Sequence, residues 1–180
     1  MSTQLGGYAG KVLKIDLDTK AVSEYPFSDK DRELFLGGKI MAAKIMNDIL
    51  ASLPKFEGKF DPFSAENPII VTSGPLNAMG SPCSSRFNTS TISPLTGYYT
   101  SSNCGGNFGL NMKRAGYDAI IIVGKATEHT YLVISGDNKV EFKNADHLWG
   151  KTTSEAQEGI AEKGGKFVIG PAGENLVKYA

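Results

Sequence analysis

The sequence predicts a β-rich α+β fold with an internal duplication and about four helices. Runs of alternating apolar and polar residues predict strands, the first of them at 12–17. Apolar residues recur at helical spacing from Ile40 to Ile49 and predict a helix within 31–50. The third observation is that one order of elements occurs twice, as a duplication would produce.

The other elements follow the same two periodicities. A second strand at 21–25 returns after a turn, and a short buried strand at 68–71 is stopped by Gly74-Pro75. The later predictions are strands rich in Ser, Thr and Tyr within 84–103, a helix at 107–115 closed by Gly116, an apolar strand at 119–123, a hairpin at 131–143, a helix at 152–163 and a strand at 166–169. Residues 177–180 look like the start of a further strand, so we expect the 180 residues to be a fragment of a longer protein.

Two parts of the chain have the same order of elements. In each, a hairpin is followed by a helix and a strand, and the strand ends in Gly-Pro, at 74–75 and again at 170–171. One interpretation is coincidence, because Gly-Pro after a strand is common turn chemistry. The other is a duplication that brings two equivalent loops to one ligand or to a pseudo-symmetric pair of ligands. The pattern alone leaves both open.

The composition argues against several classes of protein. Nineteen basic residues balance nineteen acidic ones, so a broad basic face for nucleic acid is not expected. No apolar run approaches the roughly 18 residues of a membrane span, and the first residues lack the basic and apolar regions of a secretory signal. Two cysteines and two histidines argue against a disulfide framework and against a self-contained zinc or iron–sulfur site. We therefore expect a cytoplasmic domain.

The segment with the most distinctive chemistry is 67–112, where Arg86 is the single charged side chain. Residues 81–107 contain fourteen Ser, Thr or Asn residues. One interpretation is a solvated sheet edge with a surface arginine. The other is a polar ligand held away from water, since exposed edges usually carry charges and buried polar groups need hydrogen bonds. In that case the Arg86 guanidinium would bind a phosphate, as would the N–H groups of Gly105-Gly106 before a helix.

The cysteines and histidines are expected to be structural. Cys83 and Cys104 are 21 residues apart, which matches no local metal motif, and small thiols commonly pack in the core. His129 precedes a strand and His147 lies beside Leu148-Trp149, and neither has a partner close to it in sequence.

A series of short motifs occurs along the whole chain. They are Gly74-Pro75-Leu76, Arg86-Phe87-Asn88, Ser93-Pro94-Leu95-Thr96-Gly97, Asn103-Cys104-Gly105-Gly106-Asn107-Phe108-Gly109, Ala115-Gly116-Tyr117-Asp118-Ala119-Ile120, Gly124-Lys125-Ala126, His147-Leu148-Trp149-Gly150-Lys151 and Ile169-Gly170-Pro171-Ala172-Gly173-Glu174-Asn175. In this order they resemble the N-terminal domain of the tungsten-containing aldehyde:ferredoxin oxidoreductase family. The resemblance extends from about Tyr8 to Ala180.

The resemblance implies a cofactor that composition and spacing do not reveal. Members of this family bind tungsten, or sometimes molybdenum, through the dithiolenes of two pterins, and the N-terminal domain is the two-layered base on which the pterins sit. A Mg²⁺ ion joins the pterin phosphates, and a 4Fe-4S cluster lies near one pterin. We therefore expect residues 1–180 to be the N-terminal tungstopterin-binding domain of an enzyme that oxidises aldehydes to carboxylic acids.

The resemblance also assigns cofactor-binding residues, namely Arg86, Asn103, Cys104, Gly105 and Gly106. Arg86 would hydrogen-bond between the cluster region and a pterin, Asn103 would bind Mg²⁺ through its backbone carbonyl, and the two glycines would present N–H groups to phosphate. The family's acid–base residues and cluster cysteines lie in later helical domains, so no catalytic residue is expected here. The chain alone is expected to be inactive and to hold no cluster.

The implied partners are an aldehyde or acid substrate and, as electron acceptor, ferredoxin or an electron-transfer subunit. The full-length protein is expected to be a homodimer without a membrane span. Two other functions stay open from the residues. A non-catalytic phosphate- or nucleotide-binding module would use Arg86 and Gly105-Gly106 without a metal, and an assembly domain would use the uncharged segment as its interface.

Overall fold

The computed structural model describes residues 3–53 and 60–179, which form eight strands and five helices. The strands are β1 (Lys11–Asp16), β2 (Val22–Glu24), β3 (Ile69–Ser73), β4 (Phe87–Ile92), β5 (Tyr99–Cys104), β6 (Tyr117–Val123), β7 (Thr130–Ile134) and β8 (Val140–Asn144). The helices are α1 (Asp29–Phe35), α2 (Gly38–Ser52), α3 (Phe108–Arg114), α4 (Thr153–Gly159) and α5 (Pro171–Glu174). The predicted α+β class is confirmed.

Six strands form one mixed sheet, and two form a small second sheet. The order in the large sheet is β2-β1-β6-β3-β4-β5, and β7 pairs only with β8 among the described residues. β1 and β6 run parallel, while the other neighbours in both sheets are antiparallel. The strand rich in Ser and Thr, β5, is therefore an edge of the large sheet.

Helix α2 covers one face of the large sheet. Met41, Ala42 and Ile45 on this helix pack against Ile70 of β3 and Ile121 of β6, and all five are fully buried. The 3.6-residue spacing places these three side chains of α2 on one side, as the sequence predicts.

The opposite face of the large sheet is covered by α3 and the small sheet. Buried residues Leu13, Val71 and Ile120 form this second core with Met112 of α3. Apolar residues of the β7–β8 hairpin pack against it but are only partly buried, namely Leu132, Ile134, Val140 and Phe142. The two expected β-layers are thus a six-stranded and a two-stranded sheet.

A buried ionic cluster links the segment just before β1 to elements on both faces of the large sheet. The Asp118 carboxylate, 1% exposed, lies 2.6 Å from Lys113 Nζ and 3.6 Å from Arg32 Nε. It also accepts hydrogen bonds from the backbone N–H groups of Ala9 and Gly10, each at 2.8 Å. One carboxylate thus joins α1, α3, β6 and the segment before β1.

The predicted helix within 31–50 is two helices in the structure. The chain breaks at Leu36, whose φ of 46° lies in the left-handed region, and Gly38 has φ 57°. Between them, a Cβ on Gly37 would lie 2.6 Å from the carbonyl oxygen of Ser73. The break is therefore imposed by close packing against the end of β3.

Two later predictions are wrong in the described residues. Residues 166–169 form no strand, and Val177 to Tyr179 form none either, while Ala180 lies outside the described part. The helix predicted at 152–163 ends at Gly159. The second proposed repeat therefore has its hairpin and a shortened helix but lacks the final strand, and the duplication is not reproduced as predicted.

A helix that crosses a bilayer must be both long and apolar. None of the helices in 3–53 and 60–179 meets these two requirements.

Candidate functional site

The β4–β5 pair brings together Arg86 and Asn103, two of the residues that the resemblance assigns to cofactor binding. Phe87 is opposite Cys104 in the register, so Arg86, one residue earlier, lies at the level of Gly105. The Arg86 guanidinium donates a hydrogen bond to Asn103 Oδ1 at 3.1 Å. Both side chains are exposed, and Arg86 forms no ion pair within the described part of the chain. Most of its N–H donors are therefore available to an added anion.

Gly105 and Gly106 leave their backbone open to an approaching group. A Cβ at either position would meet no atom within 4 Å, and Gly106 has φ 85°, a conformation that favours glycine. The helix that follows, α3, has seven residues and no side-chain cap at Asn107. The backbone of Gly105 and Gly106 is therefore accessible on the loop next to Arg86.

Asn77 fixes the backbone at Arg86 and is not predicted from the sequence. Its side chain is 1% exposed, and its Nδ2 donates to the Arg86 carbonyl oxygen at 3.3 Å. A Cβ on Gly109 would lie 2.9 Å from that same Nδ2, so α3 packs directly on this amide. The motif Gly74-Pro75-Leu76 just before Asn77 was the available signal, because it marks a turn that places the next side chain.

A hydrogen-bonded network covers the face of β4 and β5 towards α2. Asn88 Oδ1 accepts from Ser101 Oγ at 2.5 Å and from Ser90 Oγ at 3.3 Å. The Tyr99 hydroxyl donates to Ser90 Oγ at 2.9 Å or to the Lys39 carbonyl oxygen at 2.8 Å. Burial raises the pKa of Tyr99, so this hydroxyl stays protonated at neutral pH. The network holds β5 in place although it is an edge strand.

The uncharged segment is less buried than a site closed to water requires. β4 is mostly buried, but five of the six residues of β5 are exposed. Both cysteines are exposed as well, so the expectation that Cys83 and Cys104 pack in the core is wrong. Cys104 lies on the edge strand and Cys83 on a loop with φ 57°, where neither can reach the core.

Exposed apolar side chains lie at both ends of the β4–β5 hairpin. Leu76 and Met79, on the loop that carries Asn77, are 61% and 60% exposed. Leu95 and Tyr98 are also exposed, in the turn at the far end of the β4–β5 hairpin. We call Leu76 and Met79, at the Arg86 end of this hairpin, the uncharged surface. Apolar exposure of this kind is typical of surfaces that another molecule or domain covers.

The two histidines have structural partners. His129 stacks on Trp149, with ring centroids 3.9 Å apart, and its Nδ1 lies 2.9 Å from Asp146 Oδ1. His147 contacts the edge of the Tyr131 ring. Across the two described ranges, no group of three or more His, Cys, Asp or Glu side chains is arranged to hold a metal ion.

Comparison with known proteins identifies the family. The family model described as "Aldehyde ferredoxin oxidoreductase, N-terminal domain" matches residues 12–180. The chain belongs to this family of oxidoreductases.

Relatives of known sequence and structure agree with this assignment. The tungsten-containing aldehyde ferredoxin oxidoreductase of Pyrococcus abyssi is 40% identical over 97% of this chain, and that of Pyrococcus furiosus is 37% identical over 97%. An aliphatic sulfonate oxidoreductase, WOR-like subunit, of Pyrococcus furiosus is 32% identical over 96% of the chain. The solved active site complex BamBC of benzoyl coenzyme A reductase, in complex with 1,5-dienoyl-CoA, matches with TM-score 0.76 and 38% identity over 85% of this chain and 22% of that one.

The chain is much shorter than these relatives. It spans 28% of the length of each of the two aldehyde ferredoxin oxidoreductases and 30% of the sulfonate oxidoreductase subunit.

Proposed function

We propose that residues 1–180 are the N-terminal domain that holds a tungsten, or molybdenum, bis-pterin cofactor in an aldehyde-oxidising enzyme. In that enzyme the electrons pass through a 4Fe-4S cluster, ligated outside this chain, to ferredoxin or an electron-transfer subunit. Family membership supports the reaction class, and relatives named as tungsten-containing support the metal. The observation that carries the proposal is the exposed Arg86–Asn103 pair beside open glycine backbone.

The residues at this edge fit the polar parts of such a cofactor. Pterin phosphates need charge and N–H donors, and Arg86 supplies both in a planar fork. A methyl group added at Gly105 or Gly106 would have no atom within 4 Å, so a phosphate can approach their backbone. When bound, the metal would supply the two-electron chemistry, while this chain binds and orients the pterins.

Asn103 and Cys104 have different roles in the proposal. Asn103 would bind Mg²⁺ through its backbone carbonyl, while its side chain holds the Arg86 guanidinium at 3.1 Å. Cys104 is exposed on the edge strand next to Gly105, where it would contact the cofactor. The rest of the full-length protein would exclude water from this edge, because five of the six β5 residues are exposed here.

The metal content of Arg86 variants tests the proposal in the full-length protein. Arg86→Ala is expected to lower tungsten content and aldehyde oxidation together, because loss of the charged partner of a desolvated anion costs about 2–5 kcal/mol. Arg86→Lys is expected to restore part of both, since a lysine keeps the charge but not the fork. Tungsten, molybdenum and iron would be measured by elemental analysis after anaerobic purification.

Arg114→Ala is the matched control, because it removes an exposed arginine from the last turn of α3, at the end of the helix away from Gly105-Gly106. Metal content and activity are expected to stay unchanged in this variant. Full cofactor content and activity in Arg86→Ala would contradict the assigned role. Absence of tungsten and molybdenum from the unaltered full-length protein would instead favour the non-catalytic phosphate-binding module.

A further inference from the structure

The turn at Gly74-Pro75, just before Asn77, is packed against two segments from the first part of the chain. A Cβ on Gly7 would lie 2.6 Å from the Pro75 carbonyl oxygen, and a Cβ on Gly37 would lie 3.0 Å from Gly74 Cα. The Asn77 N–H donates to the Gly74 carbonyl oxygen at 3.1 Å. Backbone contacts therefore fix the position from which the Asn77 side chain extends.

The Asn77 amide fills a narrow space between the start of β4 and helix α3. A Cβ on Gly109 of α3 would lie 2.9 Å from Asn77 Nδ2 and 3.0 Å from Phe87 Cβ. The helix comes this close to the amide because Gly109 has no side chain. Packing from the α3 side thus holds the amide against the backbone at the start of β4.

Arg86 lies one residue before the paired part of β4. The registers of β4 with β3 and with β5 both begin at Phe87. The Arg86 carbonyl oxygen accepts a hydrogen bond from Asn77 Nδ2 at 3.3 Å. Because the strand register stops at Phe87, the contact with the amide sets the backbone of the residue that carries the guanidinium.

The other polar atom of the same amide has no partner in the part of the chain that the structure describes. Asn77 Oδ1 is buried and accepts no hydrogen bond there. Burial of an acceptor without a donor costs free energy of folding, and an apolar side chain of similar size would avoid that cost. Stability alone therefore does not account for an asparagine at this position, whereas the contact of its Nδ2 with Arg86 does.

We propose that Asn77 is a positioning residue for the cofactor, whose buried amide holds the Arg86 backbone so that the guanidinium stays at the binding edge. This inference rests on the proposed function, because it requires Arg86 to bind the cofactor. Asn77 is itself too deeply buried to touch a ligand at that edge. Without the amide, Arg86 keeps its charge but adopts more positions, so the cofactor is released faster.

The rate of tungsten release from the full-length, cofactor-loaded protein tests the proposal. Asn77→Leu removes the N–H donor but keeps the approximate size of the side chain. It is expected to speed tungsten release about 10–100-fold, the usual range when a ligating group loses its supporting hydrogen bond. The midpoint of thermal unfolding is expected to change little, because the unpaired Oδ1 is removed together with the donor. Filtration and elemental analysis over time, at a temperature below that midpoint, measure the release.

Asn67→Leu is the matched control, because Asn67 supports the opposite end of β4. Asn67 Nδ2 donates to the Ile92 carbonyl oxygen at 3.0 Å and to the Pro62 carbonyl oxygen at 2.7 Å. This variant is expected to lower the midpoint of thermal unfolding and to leave the rate of tungsten release unchanged. The two variants therefore separate a loss of stability from a loss of positioning.

A double-mutant cycle shows whether Asn77 acts through Arg86. In an Arg86→Lys background the side chain keeps its charge but has no planar fork to orient. Asn77→Leu is therefore expected to speed tungsten release less in this background than in the unaltered protein. An equal increase in both backgrounds would overturn the proposal, because Asn77 would then act without Arg86.

The inference and the proposed function fail in different ways. Release from Asn77→Leu at the unaltered rate, while Arg86→Ala has lost tungsten, would overturn this inference alone. Full tungsten content in Arg86→Ala would contradict the proposed function and the inference with it. If Asn77→Leu fails to fold, Asn77→Ser, which also lacks the amide donor, gives the same decision.

Discussion

At the scale of single residues, Asp118 joins several separate parts of the chain. Its carboxylate has two cationic neighbours, Lys113 and Arg32, and two backbone donors. Arg32 in turn donates to the carbonyl oxygens of Phe27 and Gly10, at 2.5 Å and 2.7 Å. Because these charges lie out of water, removing one partner leaves the others uncompensated.

Asp118→Asn is expected to lower the free energy of unfolding by about 3–5 kcal/mol, because it leaves two buried cations without their carboxylate. Asp137→Asn is the control. Its carboxylate is fully exposed, 3.9 Å from Lys11, and a change within about 1 kcal/mol is expected there. Urea unfolding of the purified chain measures both. Equal effects of the two substitutions would contradict the role given to the buried cluster.

Residue chemistry also decides how much of the site could be predicted. Arg86 could be predicted as a site residue because it is the one charged residue in 67–112. Its partner Asn103 could be predicted because both residues belong to the motifs that resemble the family. Asn77 could not be found in this way. The motif Gly74-Pro75-Leu76 marks the turn before it, but its position under Arg86 also depends on the close approach of Gly109, which no sequence pattern encodes.

At the scale of elements, helix α1 begins at a capping box. Ser28 Oγ accepts a hydrogen bond from the Asp31 N–H at 3.1 Å, and the Asp31 carboxylate accepts from the Ser28 N–H at 3.0 Å. The hydrogen bond from the Ser28 hydroxyl is the main cause that lowers the pKa of Asp31, and the Ser28 N–H adds to it. A carboxyl whose pKa is lowered by folding stabilises the fold when ionised.

Ser28→Ala is expected to lower the free energy of unfolding by about 0.5–2 kcal/mol at neutral pH. The ionised Asp31 carboxylate makes its full contribution to the free energy of unfolding above the pKa of about 4 that it has in the unfolded chain. That contribution is lost as the pH falls through the lower pKa of Asp31 in the folded chain. The free energies of unfolding of the Ser28→Ala variant and of the unaltered chain should therefore differ less at about pH 3 than at pH 7. Urea unfolding at the two pH values measures it.

Ser52→Ala is a suitable control for that experiment, since the Ser52 hydroxyl donates to the Ile49 carbonyl oxygen and has no carboxylate partner among the hydrogen bonds of the described residues. Ser52→Ala is expected to change the free energy of unfolding by the same amount at both pH values. A Ser28→Ala effect that did not change with pH would contradict the assignment of Asp31.

Elements were predicted where local chemistry specifies them. The β7–β8 turn is an example, because Asp137 and Asn138 adopt φ of 59° and 58°, which Asp and Asn tolerate better than most residues. The break between α1 and α2 was not predicted, since Leu36 gives no local sign of a positive φ and the cause is packing of Gly37 on β3. The strand expected at 166–169 has the right pattern but no neighbouring strand to pair with among the described residues.

At the scale of the whole molecule, charge and apolar exposure are distributed unequally. Of the charged residues, only Arg86 lies within 67–112, and the same segment contains the uncharged surface. Without charges there is little electrostatic repulsion to keep two such surfaces apart. In the full-length protein we expect this surface to be covered.

The purified 180-residue chain is therefore expected to self-associate through the uncharged surface. The double substitution Leu76→Gln and Met79→Gln should reduce this association, because it replaces both exposed apolar side chains of this surface with polar ones. Leu34→Gln is the control, since Leu34 is 64% exposed but follows a run of charged residues on α1 that ends at Glu33. Sedimentation velocity at increasing concentration measures the effect. A monomer at all concentrations would contradict the prediction.

The parallel pairing of β1 with β6 has a consequence for synthesis on the ribosome. Residues 11–16 form the second strand of the large sheet, but their inner neighbour is not made until residue 123 has been translated. At the usual speed of translation the wait lasts on the order of ten seconds. During that time β1 has only β2 as a hydrogen-bonded strand neighbour, and the cores around Val12, Leu13 and Ile15 lack the side chains of β6. The nascent chain is therefore a natural client for chaperones until β6 emerges and closes the centre of the sheet.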